Sequence, residues 1–209
     1  MSKLNIVNSI PVTLPEREIL FRMKFNVHKT ELDDDIKRKI SSVMNRGYSV
    51  CEPKGSWILL NITGRDESSV HFDGGFTIQS ESIVKLLARS ESAVFMGVTV
   101  GKGIVDLAQE AVHAGDGSSA IIFDAVGGET AEAAIEWLNR FLGSELRRRG
   151  RVLTPMRFSA GYGDFLLENQ RLFYELLDLQ RFGVSLTESC IFTPEKTVTA
   201  IAGVEIPLV

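Results

Sequence analysis

The sequence predicts an α/β or α+β fold, and three observations carry that expectation. Ala93 to Val100 is an apolar strand that Gly101-Lys102-Gly103 turns into a helical stretch, Ile104 to Ala114. Glu129 to Arg149 places Ala131, Ala134, Ile135, Leu138, Leu142 and Leu146 on one helical face. Thr197 to Ile206 alternates and is rich in β-branched residues, as a strand should be.

The other elements follow in chain order. Pro15 to Leu20 opens a short helix, with Pro near its first turn and acids where the helix dipole favours them. A second helix is expected from Glu31 to Arg46, ended by Gly47, and Asp33-Asp34-Asp35 forms its solvated acidic face. Ser56 to Ile62 reads as a strand, Gly64 to Gly75 as a polar, turn-rich and mobile loop, and Ser80 to Ala88 as a helix on Ile83, Leu86 and Leu87. Gly101-Lys102-Gly103 completes neither dinucleotide nor Walker spacing, so it reads as a plain turn rather than a phosphate cradle. Ser118 to Phe123 leads into the long helix, which resumes after Gly127-Gly128. Val152-Leu153 begins a strand, and Arg157 to Gly163 is a loop. Asp164 is expected to cap a helix reaching about Gln180, with Gly183 beyond its end. Cys190 to Phe192 is a further strand, separated from Thr197 to Ile206 by the Pro194-Glu195-Lys196 turn.

Composition narrows the function. With 209 residues, 44% hydrophobic and 24% charged, the chain can bury a full core. The net charge of -4 and a pI near 5.5 argue against a nucleic-acid face. The one dense basic cluster, Arg147-Arg148-Arg149 with Arg151, suits a helix C-terminus instead. No apolar run reaches the roughly 20 residues of a membrane span, which points to a protein with no membrane partner. Two separated cysteines, Cys51 and Cys190, and no secretory leader point to a reduced, cytoplasmic protein. His28, His71 and His113 are scattered and no nucleophile elbow occurs, so neither a metal site nor a catalytic residue of autonomous hydrolysis is expected.

Binding capability concentrates between Met156 and Ala200. Arg157 offers a fork of donors suited to a carboxylate, the small residues Ser159, Ala160 and Gly161 let a ligand approach the backbone, and Tyr162 adds a flat ring with a polar tip. An ordinary glycine turn with an arginine ion pair is the alternative reading of this loop. Downstream lie Leu186-Thr187-Glu188-Ser189 and Thr197-Val198-Thr199-Ala200.

In the order and spacing of these segments the chain resembles the activation domain of cobalamin-dependent methionine synthase. The binding loop of that family reads Arg, three residues, Gly-Tyr, followed by a helix and a Leu-Thr-Glu-Ser segment. The likeness is carried by residues 91–209, the ligand-binding part, and is loose over residues 1–90, within one activation-domain-like domain spanning 1–209. It implies a mixed, largely antiparallel sheet flanked by helices. The ligand it implies is S-adenosylmethionine, contacted by Arg157, Ser159, Ala160, Gly161, Tyr162, Thr187 and Glu188. Glu132, on the flank of the long helix, aligns with a family glutamate that faces the ligand; a solvated side chain is the other reading of it.

The resemblance also implies a mechanism. Cobalamin whose cobalt has been accidentally oxidised is re-reduced uphill by a flavodoxin-like donor, and a methyl group from S-adenosylmethionine traps the reduced cobalt. Corrinoid carriers show Asp-x-His-x-x-Gly, and Ala111-Val112-His113-Ala114-Gly115-Asp116 lacks both the aspartate and the glycine spacing. Cobalamin is therefore expected on a partner chain, a separate methionine synthase. Prolines of the family loop are replaced here by Phe158, Ala160 and Gly163, which loosens the loop. The family's N-terminal aspartate and its tyrosine after the last strand have no secure counterpart, which leaves the ammonium contact open. Two other roles stay open: service to a different corrinoid methyltransferase, and S-adenosylmethionine binding or docking without turnover.

Overall fold

Strand β5, Ser92–Thr99, is buried along its whole length, and the sheet is built outward from it. The computed structural model describes residues 3–25 and 33–207. On one side β5 pairs with β2, Lys54–Arg65; on the other it pairs with β9, Thr197–Glu205. The path continues to β3, Ser69–Phe72, and β4, Thr77–Gln79, beyond β2, and to β6, Val152–Leu153, beyond β9. Strand β1, Asn5–Val7, joins the first half of β2. Every pairing is antiparallel. The result is a mixed α/β fold with an antiparallel sheet flanked by helices, the class the sequence predicts.

Period-two alternation explains why β5 reads as a continuous apolar run. Ala93 and Phe95 join Ile58, Leu60 and Ile201 on one face, under Phe165, Phe173, Leu177 and Leu179. Val94, Met96 and Val98 join Ala200, Ala202 and Val204 on the other. That second face is covered by Ala134, Ile135, Leu138 and Leu142 of α5, Gly117–Arg147. A third apolar cluster binds the first half of α5 to α1, Glu16–Arg22, α2, Asp34–Ser49, and α4, Gly103–His113.

Three glycines expected to end or interrupt a helix lie inside helices. Helix α2 runs through Gly47, and α5 runs for 31 residues through Gly127 and Gly128. A helical glycine costs about 1 kcal/mol relative to alanine. Close approach is what it permits: a Cβ at Gly47 would lie 2.9 Å from Phe123 Cδ1, and one at Gly127 3.0 Å from Lys196 Cγ. Glu31, Leu32 and His28 lie outside the described residues.

Further expectations are corrected. The segment 64–75 is not a loop, because it holds the end of β2 and all of β3. The stretch 164–180 is not one helix. A 3-10 turn at Leu167–Asn169 leads into α6, Gln170–Leu176, and Asp178 at φ 48° breaks the run before a second turn, Leu179–Phe182. Asp164 caps a different helix: its carboxylate accepts from the Ser82 N–H at 3.2 Å, in the first turn of α3, Glu81–Leu86. Hydrogen bonding, chiefly from the Ser82 side chain, lowers the Asp164 pKa to about 2. Of the expected 190–192 strand only Phe192 is extended; with Thr193 it forms β8 and pairs with β7, Ser185–Leu186, in a hairpin that includes Cys190 at φ 62°. Among the described residues no helix is long and apolar enough to cross a membrane.

Candidate functional site

Arg157 owes its position to the strand beside it. Thr154 N–H donates to the Gly203 carbonyl at 2.9 Å, and Phe158 and Ile201 exchange a pair of backbone bonds at 2.9 and 2.8 Å. The chain from β6 to Phe158 thereby tracks β9. Phe158 packs against the aromatic face of the sheet, and its neighbour Arg157 meets α5, which covers the opposite face.

There the guanidinium meets two carboxylates. Arg157 Nη1 lies 2.6 Å from Glu136 Oε2, and Nη2 lies 3.5 Å from Glu132 Oε2. The other Glu136 oxygen is 3.7 Å from Arg140 Nε on the same helix. The Arg157 side chain keeps 26% of its surface exposed, so the ion pairs stand at a cleft wall rather than in the core.

Two clefts meet at this arginine. A smaller one of about 480 Å³ is lined by Glu132, Pro155, Met156, Arg157, Phe158, Ser159, Tyr162 and Val198. A larger one of about 690 Å³ lies between residues 11–18 and α5, with Glu132, Glu136, Trp137, Arg140 and Arg157 on its wall. Arg157 and Glu132 border both. Trp137 stacks on Phe141 with ring centroids 5.3 Å apart.

The sequence-predicted residues divide into two groups. Arg157, Ser159, Tyr162 and Glu132 come together in the smaller cleft. Ala160 and Gly161 hold its loop from behind. Ala160 is buried in the core beneath, and Gly161, at φ 99°, donates its N–H to the Phe165 carbonyl at 2.7 Å. A β-carbon at Gly161 would lie 3.2 Å from Leu167. Phe165, fully buried, returns an N–H to the Tyr162 carbonyl, so the turn leaves the Tyr162 ring outside and 71% exposed.

Thr187 and Glu188 lie apart, in the β7–β8 hairpin, and neither lines either cleft. The Thr187 hydroxyl accepts from the Ile191 N–H at 3.0 Å, and the Glu188 carbonyl accepts from Arg171 at 2.9 Å. The first bond closes the hairpin and the second ties it to α6. Sequence reasoning missed Glu136, Arg140 and the 11–18 segment. The spacing Glu132, Glu136, Arg140 is a run of i,i+4 steps on one helix face, and that signal was available.

Among the described residues no group of three or more His, Cys, Asp and Glu side chains is placed to hold a metal ion. Burial pushes the Cys51 thiol up to about 11, which disfavours the thiolate at neutral pH. His71 Nδ1 is engaged by Thr77 Oγ1 at 2.8 Å on the β3–β4 hairpin.

No protein-family model matches this sequence, and no curated protein matches it. Among solved structures it is similar to the crystal structure of the MetH reactivation domain bound to AdoHcy. The TM-score is 0.67 at 14% sequence identity, over 98% of this chain and 81% of that one. At that identity the likeness is one of fold, and the chain shares the fold of that reactivation domain along nearly its whole length.

Proposed function

We propose that this chain binds S-adenosylmethionine in the cleft at Arg157 and presents its methyl group to cobalamin on a separate methionine synthase chain. One observation carries the reading. In a fold like that of a reactivation domain seen with AdoHcy, a cleft brings together an arginine, a facing acid and an exposed tyrosine. Those groups match the amino-acid end of the ligand: Arg157 for its carboxylate and Glu132 for its ammonium. A volume of about 480 Å³ falls within the range of small-molecule clefts. Ser159, small and on the cleft wall, lets a nucleoside lie close to the backbone, while Ala160 and Gly161 shape the loop from behind.

Exchange at Arg157 is affordable energetically. Ion pairs this exposed contribute about 0–1 kcal/mol, whereas charge-assisted hydrogen bonds in a shielded site contribute about 1.5–3 kcal/mol. A ligand that shields the arginine from water as it binds can therefore compete with the internal partner. Met156, Tyr162 and Leu166 leave apolar surface exposed around the loop, which suits docking of a large partner at the mouth of the cleft.

When bound to the partner, the corrinoid supplies the cobalt that accepts the methyl group, and a flavodoxin-like donor supplies the electron. The residues of this chain contribute position. Arg157 and Glu132 fix one end of the donor, and the 159–162 loop with Tyr162 limits water at the other. Orientation of this kind removes several kcal/mol from a barrier, up to about 7–11 in ideal cases. No general acid or base on this chain is needed.

Calorimetry with S-adenosylmethionine tests the binding half. Arg157→Ala, folded by circular dichroism, is expected to weaken affinity roughly 10- to 100-fold. An unchanged isotherm contradicts the assignment. Methylation of cobalt(II) cobalamin on the candidate partner, with reductant, tests the other half: turnover only when this chain is added supports reactivation, and binding without turnover reduces the chain to a passive binder.

A further inference from the structure

The geometry points to Glu136 as a built-in competitor for the ligand carboxylate, an inference that rests on the reading above. Both terminal nitrogens of Arg157 already face acids, Nη1 on Glu136 at 2.6 Å and Nη2 on Glu132 at 3.5 Å. A ligand carboxylate can grip both terminal nitrogens end-on only if one of these acids withdraws. Glu132 lines both clefts, while Glu136 lines only the larger.

Glu136 also has somewhere to go. Its second oxygen stands 3.7 Å from Arg140 Nε, one helical turn along α5. That spacing forms a side-chain pair on a helix without backbone movement. Glu136 thus has two arginine partners, one on each side. It holds Arg157 in the free chain and moves onto Arg140 when a carboxylate arrives. Like-charge repulsion between the incoming carboxylate and Glu136 drives the move.

The test is calorimetry on the full chain with two ligands, S-adenosylmethionine and its decarboxylated analogue, which lacks the competing group. Glu136→Gln removes the charge and keeps the shape. It is expected to tighten S-adenosylmethionine binding about two- to fivefold and to leave the decarboxylated analogue unchanged. Arg140→Ala, which removes the landing place, is expected to weaken S-adenosylmethionine alone. A structural role for Glu136 would shift both ligands together, and a role in aiming Arg157 would make Glu136→Gln bind more weakly; either result overturns the inference. If Arg157→Ala loses binding while Glu136→Gln matches the wild type, the competitor idea falls and the binding reading stands. If neither the wild type nor Glu136→Gln binds, both fall together.

Discussion

Arg157, Glu132 and Glu136 set the properties of the site one side chain at a time. The arginine was legible in the sequence because a Gly-Tyr turn follows it at the right distance. Its neighbours were less so, since a glutamate on a helix is usually solvated and only the fold brings α5 against residue 157. Asp164 teaches the same lesson. From sequence it starts its own helix, yet its carboxylate caps α3, whose first-turn N–H groups lie 82 residues earlier in the chain. The Asp164 pKa is lowered to about 2, first by the Ser82 side chain; that of Asp116, which caps α5, is lowered to about 2, first by the Ser119 side chain. Because the folded values are depressed, both contributions are complete above the ordinary aspartate range and vanish as pH falls through the folded values. Thermal stability is expected to fall between about pH 4 and pH 2. The double variant Asp116→Asn, Asp164→Asn should flatten that fall in melting curves, and an undiminished slope would show that other carboxylates control it.

Elements were read well where burial is two-sided and poorly where it is partial. The central strand announced itself because both its faces bury apolar side chains. Strands β3 and β4 did not, since the turns around them are polar and their pairing, β3 on β2 and β4 on β3, is visible only in three dimensions. Glycines misled in a consistent way: the sequence records a missing Cβ but not what that Cβ would strike. At Gly47 and Gly127 the answer is a neighbouring side chain, and at Gly55 it is the Gly97 carbonyl oxygen, 2.4 Å from an added methyl. A side chain can turn aside, whereas strand backbone cannot without losing its ladder. Gly55→Ala is therefore expected to cost about 3 kcal/mol, at the upper end for overpacking. Gly47→Ala should cost less, since about 1 kcal/mol of helix propensity offsets the contact with Phe123. Urea unfolding of the two variants gives the ranking, and a reversed order would contradict this account of their packing. Ser80→Ala should cost about 1 kcal/mol in the same assay, because the Ser80 hydroxyl accepts from the Ile83 N–H at 3.1 Å.

Across the whole molecule, the architecture is matched where the amino acids are not, with 98% of the chain superposed at 14% identity. Packing tolerates such drift because a sheet face asks only for apolar side chains of suitable volume. The proposed grip on a ligand asks for more, a particular fork of donors at a particular place. That is why a short loop suggested a function that composition could not. The most direct check is a crystal structure of this chain with S-adenosylhomocysteine. The ligand is expected in the smaller cleft, with its carboxylate within hydrogen-bond reach of Arg157 and with Glu136 drawn toward Arg140. Ligand bound elsewhere, with the Arg157–Glu136 pair intact, would contradict it.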